Sequence, residues 1–232
     1  MTGSDLFQRI RQKGLSPRHV AEIGVYLPET SNVYRYVLAG VRCTLVEADP
    51  DAAEKIRKKF ADRQNVSLYP VAVSDKHGKL ELVRRGASTY AVDIERSPAV
   101  VNDRYRLRDA DRFSVDAVTF DEIDDGTIDV LSVDIEGGEW FVLKHMVSRP
   151  AVISLETHAG LYRNPHMAEI SAWMRDNQYV RWYLSDSDSI YVRSGVFPVS
   201  LFEKLRLVAA DTRLSLERTK VGTKRTLRRQ SA

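Results

Sequence analysis

The stretch from Ile128 to Trp140, IDVLSVDIEGGEW, constrains the fold of this chain more than any other. Its apolar residues Ile128, Val130, Leu131, Val133 and Ile135 are too closely spaced for a half-exposed strand. Such a run fits a strand buried on both faces of a parallel sheet. Asp134 and Glu136 follow at its carboxyl end, Gly137-Gly138 supplies a turn, and EWFVLKHM then has helical spacing. In open α/β sheets ligands bind beyond the carboxyl ends of the strands, so these two carboxylates mark where chemistry is expected.

The remaining runs supply partners for that strand. His19–Tyr26 reads as a first strand ending in a glycine loop, with Pro28 and the residues after it opening a helix that Gly40 ends. Arg42–Glu47 is a second strand, and Asp49-Pro50 starts the helix DPDAAEKIRKKFADR, acidic first and basic later as the helix dipole prefers. Val66–Ser74 reads as a third strand, extended by a hairpin through KLELV. Val115–Phe120 and Ala151–His158 are further strands, HMAEISAWMRDNQ is a helix, and Tyr179–Leu184 with Ser189–Arg193 forms a closing hairpin. Residues 86–114 carry many charges without periodicity and are expected to form a mobile flap. The order is that of an α/β three-layer sandwich with a mainly parallel sheet.

With 232 residues, 43% of them hydrophobic, the chain suffices for one domain with an appendage. The division expected is a body over 1–197, containing a short N-terminal helix and the flap, and a C-terminal amphipathic helix with a basic tail over 198–232. The formal charge of +3 is uneven. From Asp211 onward there are seven Lys/Arg and two acids, so that tail carries +5 and the rest about −2. Leu201, Phe202, Leu205, Val208, Ala209, Thr212 and Leu216 share a helical face, expected to pack on the body or on a second subunit; the last dozen residues are expected to be disordered. The lone Cys43 excludes an internal disulfide and reads as a buried thiol in a reducing interior. MTGSDLFQRIRQKG lacks the apolar core of a signal peptide, and no run approaches the ~18 apolar residues of a membrane span, so a cytoplasmic location is expected.

Two strand ends carry the binding signal. Glu22 and Gly24 mark the turn of the first strand, and Glu47 ends the second, 23 residues after Gly24. An acid there can accept both hydroxyls of an adenosine ribose. A dinucleotide site also needs G-x-G-x-x-G for its pyrophosphate, whereas this loop has a single glycine in that window and an acid that would repel phosphate. A ligand with adenosine and no pyrophosphate is indicated. S-adenosylmethionine fits: its sulfonium and ammonium are attracted by Glu22, and Gly24 lets the backbone approach its methionyl group.

The order EIGVY, TLVEADP, VSLYPVAVS, VDAVTFDEI, IDVLSVDIEGGE, VISLETH resembles the FkbM-like family of S-adenosylmethionine-dependent methyltransferases. The resemblance spans roughly Val20 to Arg193, and its most specific element is D-x-E-G-x-E, here Asp134, Glu136, Gly137 and Glu139. It implies a class I methyltransferase fold, a Rossmann-like seven-stranded sheet with an antiparallel last strand. It also implies methyl transfer to a hydroxyl of a sugar, glycan or natural product. By position, Glu22, Gly24 and Tyr26 fall in the cofactor loop and Glu47 at the ribose. Ala72 and Val73 fall by the adenine, and Asp134 and Glu136 at the methyl-transfer end. One departure is Pro28, where the family has the second glycine of D-x-G-x-x-x-G, and Glu22 replaces the aspartate. Proline fixes φ and removes a donor, so the loop must differ locally.

Transfer to a hydroxyl requires a base beside an in-line acceptor. The candidates are Asp134, Glu136 and His158; in a regular strand Glu156 and His158 share a face, and the four groups converge. Glu139 reads equally well as the start of the next helix. The same oxygen-rich cluster, Asp134 and Glu136 with His158, could instead hold a divalent ion such as Mg²⁺. Arg84, Arg85, Arg104, Arg106, Arg108 and Arg112 suit an anionic or lipid-linked acceptor, and Tyr90, Tyr105 and Tyr162 suit a sugar ring. The basic tail suggests peripheral contact with a membrane rather than nucleic acid, since no RNA-binding motif accompanies it. The alternatives left open are a non-catalytic α/β binding module and an NAD-dependent oxidoreductase.

Overall fold

Every second residue of the central strands feeds a different core, which is why the sheet is covered on both sides. The computed structural model describes residues 4–85, 88–94, 97–103 and 108–230. Helix α1 (Ser4–Gln12) precedes β1 (His19–Ile23), α2 (Tyr34–Leu38), β2 (Arg42–Val46), α3 (Pro50–Lys59) and β3 (Val66–Tyr69). Next come β4 (Ala72–Val73), β5 (Gly78–Arg85), β6 (Ser88–Ala91), α4 (Pro98–Asp103) and β7 (Arg112–Val118). They lead to β8 (Val130–Val133), α5 (Glu139–Lys144) and β9 (Val152–Glu156). The chain closes with β10 (His158–Ala159), β11 (Tyr162–Arg163), α6 (Met167–Asp176), β12 (Tyr179–Ser185), β13 (Asp188–Arg193) and α7 (Leu201–Gln230).

Seven strands make the main sheet, in the order β12-β13-β9-β8-β1-β2-β3. Counted along the chain this is 3-2-1-4-5-7-6, and the seventh strand, β13, is antiparallel to both neighbours. Ala21, Leu131 and Ile153 point into one core with Phe120, Leu143 and Ile170. Val20, Val130 and Val152 point into the other with Ile10, Val37 and Ile56. Burial on both faces explains the unbroken apolar run of β8. Asp49 caps α3, accepting from the backbone N–H of Asp51 at 2.8 Å, and Pro50 occupies the first turn, where its missing N–H costs nothing.

The expected class I architecture is present, with local corrections. Val66–Ser74 is not one strand: Pro70 has no N–H to donate, and the chain leaves the main sheet there for a second sheet of order β4-β7-β5-β6. The strand expected at Val115–Phe120 begins earlier, as β7, and lies in that second sheet, paired with β5. The described part of residues 86–114, a stretch without periodicity in the sequence, holds β6, α4 and a short 3₁₀ turn at Asp109–Asp111. Cys43 is fully buried, which pushes its thiol up to about 12, and its Sγ lies 3.1 Å from the Val41 carbonyl. Among the described residues no helix is long and apolar enough to cross a membrane.

Helix α7 departs most from expectation. It runs to Gln230, and the face presented to β12 is not the apolar one. Half-buried Leu207, Ala210 and Leu214 lie on the body side. Glu203 there accepts from the Trp182 indole at 2.7 Å and from Lys13 at 2.9 Å, while Asp211 pairs with Arg181. Trp182 is 1% exposed, so its N–H needs this partner.

Candidate active site

The carboxyl ends of β1, β2 and β8 and the inner face of the second sheet enclose a cavity of about 350 Å³. All seven residues expected at a cofactor site line it: Glu22, Gly24, Tyr26, Glu47, Ala72, Val73 and Asp134. Leu80, Leu82, Ala91, Ile94 and Phe141 complete an apolar wall, and Glu136 and Asp93 add carboxylates. Among the described lining residues there is no Lys, Arg or His. Such a site favours a cation and disfavours a pyrophosphate.

Gly24 is required by packing. Its φ is +84°, and a Cβ built there would meet the Asp134 carbonyl oxygen at 1.9 Å. The two strand tips are pressed together at this point, with the Asp134 N–H donating to the Ile23 carbonyl at 2.9 Å. The glycine thus admits the β8 backbone as well as opening on the cavity. Gly137, at φ +115°, is similarly enclosed: a Cβ there would meet Ile94 Cγ2 at 2.9 Å.

Glu22 and Glu47 are braces as well as walls. Glu47 accepts from the backbone N–H of Val25 at 3.1 Å, Tyr26 at 2.6 Å and Asp49 at 2.8 Å. These bonds hold the turn in which Tyr26 takes a φ of +57°. Burial raises the Glu47 pKa, against the pull of those N–H groups. Glu22 accepts from the Asn32 N–H at 2.8 Å and from the Ser31 hydroxyl, so it fixes the start of α2. Pro28, the departure from the family pattern, is the first residue of a 3₁₀ turn over Pro28–Thr30, a position that tolerates proline.

Burial pushes the Glu22 carboxyl up to about 7, although the Ser31 and Asn32 bonds pull it down. An unfolded chain releases that proton near the ordinary value of 4.5, so folding retains a proton between there and about 7. Stability contributed by this group is therefore lost as pH rises through that window. Glu22→Gln is expected to flatten this limb of the melting temperature against pH, by about 3 kcal/mol at most. Parallel curves for parent and variant would refute the assignment.

At the tip of β8 and β9 three carboxylates converge. Asp134, Glu136 and Glu156 each offer one oxygen, all within 4.8 Å of one another. Burial, then the neighbouring carboxylates, hold Asp134 and Glu156 well above the usual carboxylate range. Glu136 has a φ of +58°, a backbone conformation costly to a side-chain-bearing residue and recurrent at functional sites. Glu156 is 5% exposed, and among the described residues its Oε2 has no hydrogen-bond partner; the same holds for the fully buried Tyr162 hydroxyl. The Tyr162 hydroxyl sits 3.4 Å from the Cβ position of Gly137; burial raises its pKa, and Glu139 and then these three carboxylates raise it further.

His158 is not a member of this cluster. Strand β9 ends at Glu156, and the N–H groups of both Thr157 and His158 donate to the Ser187 carbonyl, which breaks the two-residue alternation. Its Nδ1 lies 2.9 Å from Thr157 Oγ1, and its pKa is lowered by burial and then by Arg218 of α7 and Arg181 of β12. Glu139 is structural. Fully buried at the start of α5, it accepts from the N–H groups of Ile135 at 2.9 Å and Gly137 at 3.3 Å, and from the Asn164 amide. The loop bearing Glu136 is thus tied to its own helix.

The arginines expected to clamp an acceptor are largely engaged locally. Arg84 pairs with Asp49 and, at 2.9 Å, with Asp51, which straps β5 to α3. Arg108 pairs with Asp111 at 2.8 Å and Arg112 with Asp109 at 3.3 Å. Arg85 ends β5, and Tyr90 lines the cavity. Arg104, Tyr105 and Arg106 lie outside the described residues.

The 3-2-1-4-5-7-6 sheet with its reversed seventh strand is the class I methyltransferase fold, with an acid-walled cavity at the carboxyl ends of its strands. The family follows from the sequence: residues 19–181 match the family model described as the methyltransferase FkbM domain, and the chain belongs to that family. No curated protein matches the chain significantly. Among solved structures it is similar to a putative RNA methyltransferase from Pyrococcus horikoshii, with 10% identity, 82% of each chain covered and a TM-score of 0.45. It is also similar to a putative caffeoyl-CoA O-methyltransferase from Staphylococcus aureus, with 12% identity, 82% of each chain covered and a TM-score of 0.46. A third likeness is to MtNAS solved in complex with S-adenosylmethionine, with 16% identity, 81% of this chain and 60% of that one covered, and a TM-score of 0.43.

Proposed function

We propose that this methyltransferase transfers the methyl group of S-adenosylmethionine to a hydroxyl of a sugar or glycan. The observation carrying the cofactor reading is a cavity walled by Glu22, Glu47, Asp134 and Glu136 with no basic side chain among its described lining. A cavity of about 350 Å³ lies in the range that holds one small cofactor. When bound, the cofactor supplies a methyl group activated on a positively charged sulfur.

The chain supplies a proton acceptor and a shape. Transfer of that methyl group to a hydroxyl would require the hydroxyl proton to leave. Glu156 takes it, with Asp134 and Glu136 beside it. A carboxylate whose pKa is raised by burial and like charges is a stronger base at neutral pH than an ordinary one. The acidic cluster also favours a positively charged sulfur nearby. The acceptor is of the hydroxyl class because the neighbouring polar groups, Glu156 and Tyr162, are oxygen groups suited to a polyol. An anionic or lipid-linked sugar is compatible with the chain's cationic tail.

A divalent ion is a second reading, favoured by the approach of Asp134, Glu136 and Glu156 to within 4.8 Å; Glu156 replaces the expected His158 as third ligand. Titration calorimetry tests both readings. S-adenosylhomocysteine is expected to bind the chelator-treated protein, and a panel of sugars incubated with S-adenosylmethionine is expected to yield a one-methyl mass gain. Failure of both cofactor forms to bind the folded protein at millimolar concentration overturns the methyl-transfer reading. Absence of Mg²⁺ or Mn²⁺ binding to the same protein overturns the metal reading alone.

A further inference from the structure

On the outward side of α7, Leu201, Phe202, Leu205, Val208 and Leu216 are 57–74% exposed. Leu201, Leu205, Val208 and Leu216, with Thr212 between, recur at helical spacing and form one continuous stripe. It lies opposite the side that Leu207, Leu214 and the Glu203 and Asp211 contacts hold against the body. The borders of the stripe are basic. Lys204 flanks one edge together with Asp211, which pairs with Arg181, and Arg206, Arg213 and Lys220 flank the other, where Glu217 pairs with Arg213 at 2.9 Å. The Arg206 guanidinium lies 4.2 Å from the Phe202 ring centroid, so a cation sits directly beside the apolar stripe.

We propose that this face of α7 docks on an anionic lipid surface. An apolar stripe bordered by Lys and Arg seats its side chains in the acyl boundary and its cations among anionic headgroups. From Leu201 onward the sequence carries nine Lys/Arg against three Asp/Glu, which adds a long-range attraction. A second copy of the chain fits this face less well, because pairing two such stripes sets basic border against basic border with few acids to answer them. The seat is connected to the active site: Arg218 of the same helix donates to the Gly160 carbonyl at 3.4 Å and the Tyr162 carbonyl at 3.2 Å. A lipid-bound α7 therefore holds the loop that carries Tyr162 close to the bilayer.

The test is co-sedimentation of the full chain with vesicles of phosphatidylcholine alone or mixed with phosphatidylglycerol. Binding to the mixed vesicles is expected, with little to the neutral ones and a decline as salt is raised. The doubly substituted Leu205→Asp, Val208→Asp chain is expected to lose about tenfold or more of its partitioning. Both side chains are exposed, so its melting temperature should match the parent's. Equal partitioning of parent and variant, or no binding to the mixed vesicles, overturns the proposal. A dimer in sedimentation velocity that the variant abolishes, without vesicle binding, assigns the face to a second copy instead. None of these readouts depends on methyl transfer.

Discussion

Gly24→Ala is expected to lower stability by ~3 kcal/mol or more and to abolish binding of S-adenosylhomocysteine. Two effects combine. The residue sits at φ +84°, where a Cβ is strained, and that Cβ would lie 1.9 Å from the Asp134 carbonyl oxygen. A backbone atom cannot swing aside like the end of a long side chain, so the tips of β1 and β8 must separate. That separation also disturbs the cavity wall formed by Glu22 and Asp134. Gly195→Ala distinguishes the two effects, since Gly195 has φ +88° with nothing within 4 Å of its Cβ position. It is expected to cost about 1 kcal/mol, from backbone strain alone, and to bind ligand normally. Thermal melts and calorimetry on both variants decide the matter; a Gly24→Ala protein as stable as Gly195→Ala would contradict the packing described.

Asp134→Asn and Glu156→Gln are each expected to reduce the rate of methyl transfer by about 10²- to 10⁴-fold while leaving the chain folded. Neither should unfold the protein, because burial and neighbouring carboxylates already disfavour their ionised forms. Removing one charge relieves repulsion among the others, so the melting temperature at neutral pH should hold or rise. The pH profile separates roles. If Glu156 is the base, the parent's kcat/KM climbs through a limb set above the usual carboxylate range, and Glu156→Gln removes that limb. Asp134→Asn should leave a limb but lower its plateau. Undiminished turnover in both variants would dismiss this cluster as the reacting centre.

Much of this fold was legible because its strands are buried on both faces and their carboxyl ends carry acids. The run at Val130–Val133 needs no partner information to be read, and Glu22, Gly24 and Glu47 mark the cavity by spacing alone. What the sequence concealed depends on where chains bend. Glu156 and His158 look equivalent by two-residue alternation, and the distinction is made by the Ser187 carbonyl, which turns the chain after Glu156. Spacing could not show that Glu22 and Glu47 hold their own loops, since their partners are backbone N–H groups and Ser31. The apolar spacing of α7 was visible, but its orientation was not: Trp182, Lys13 and Arg181 draw Glu203 and Asp211 inward, and the hydrophobic stripe is turned outward as a result. Pro70 is the exception, a break that proline chemistry announces and that a continuous reading of Val66–Ser74 overlooked.

The burial of Cys43 has an experimental use. A thiol held at about 12 and enclosed by the sheet is silent to maleimides and spin labels at neutral pH, so the native chain is a blank background for site-directed labelling. A single cysteine placed anywhere on the surface would then be the sole reporter, with no need to alter a core that tolerates little change in volume.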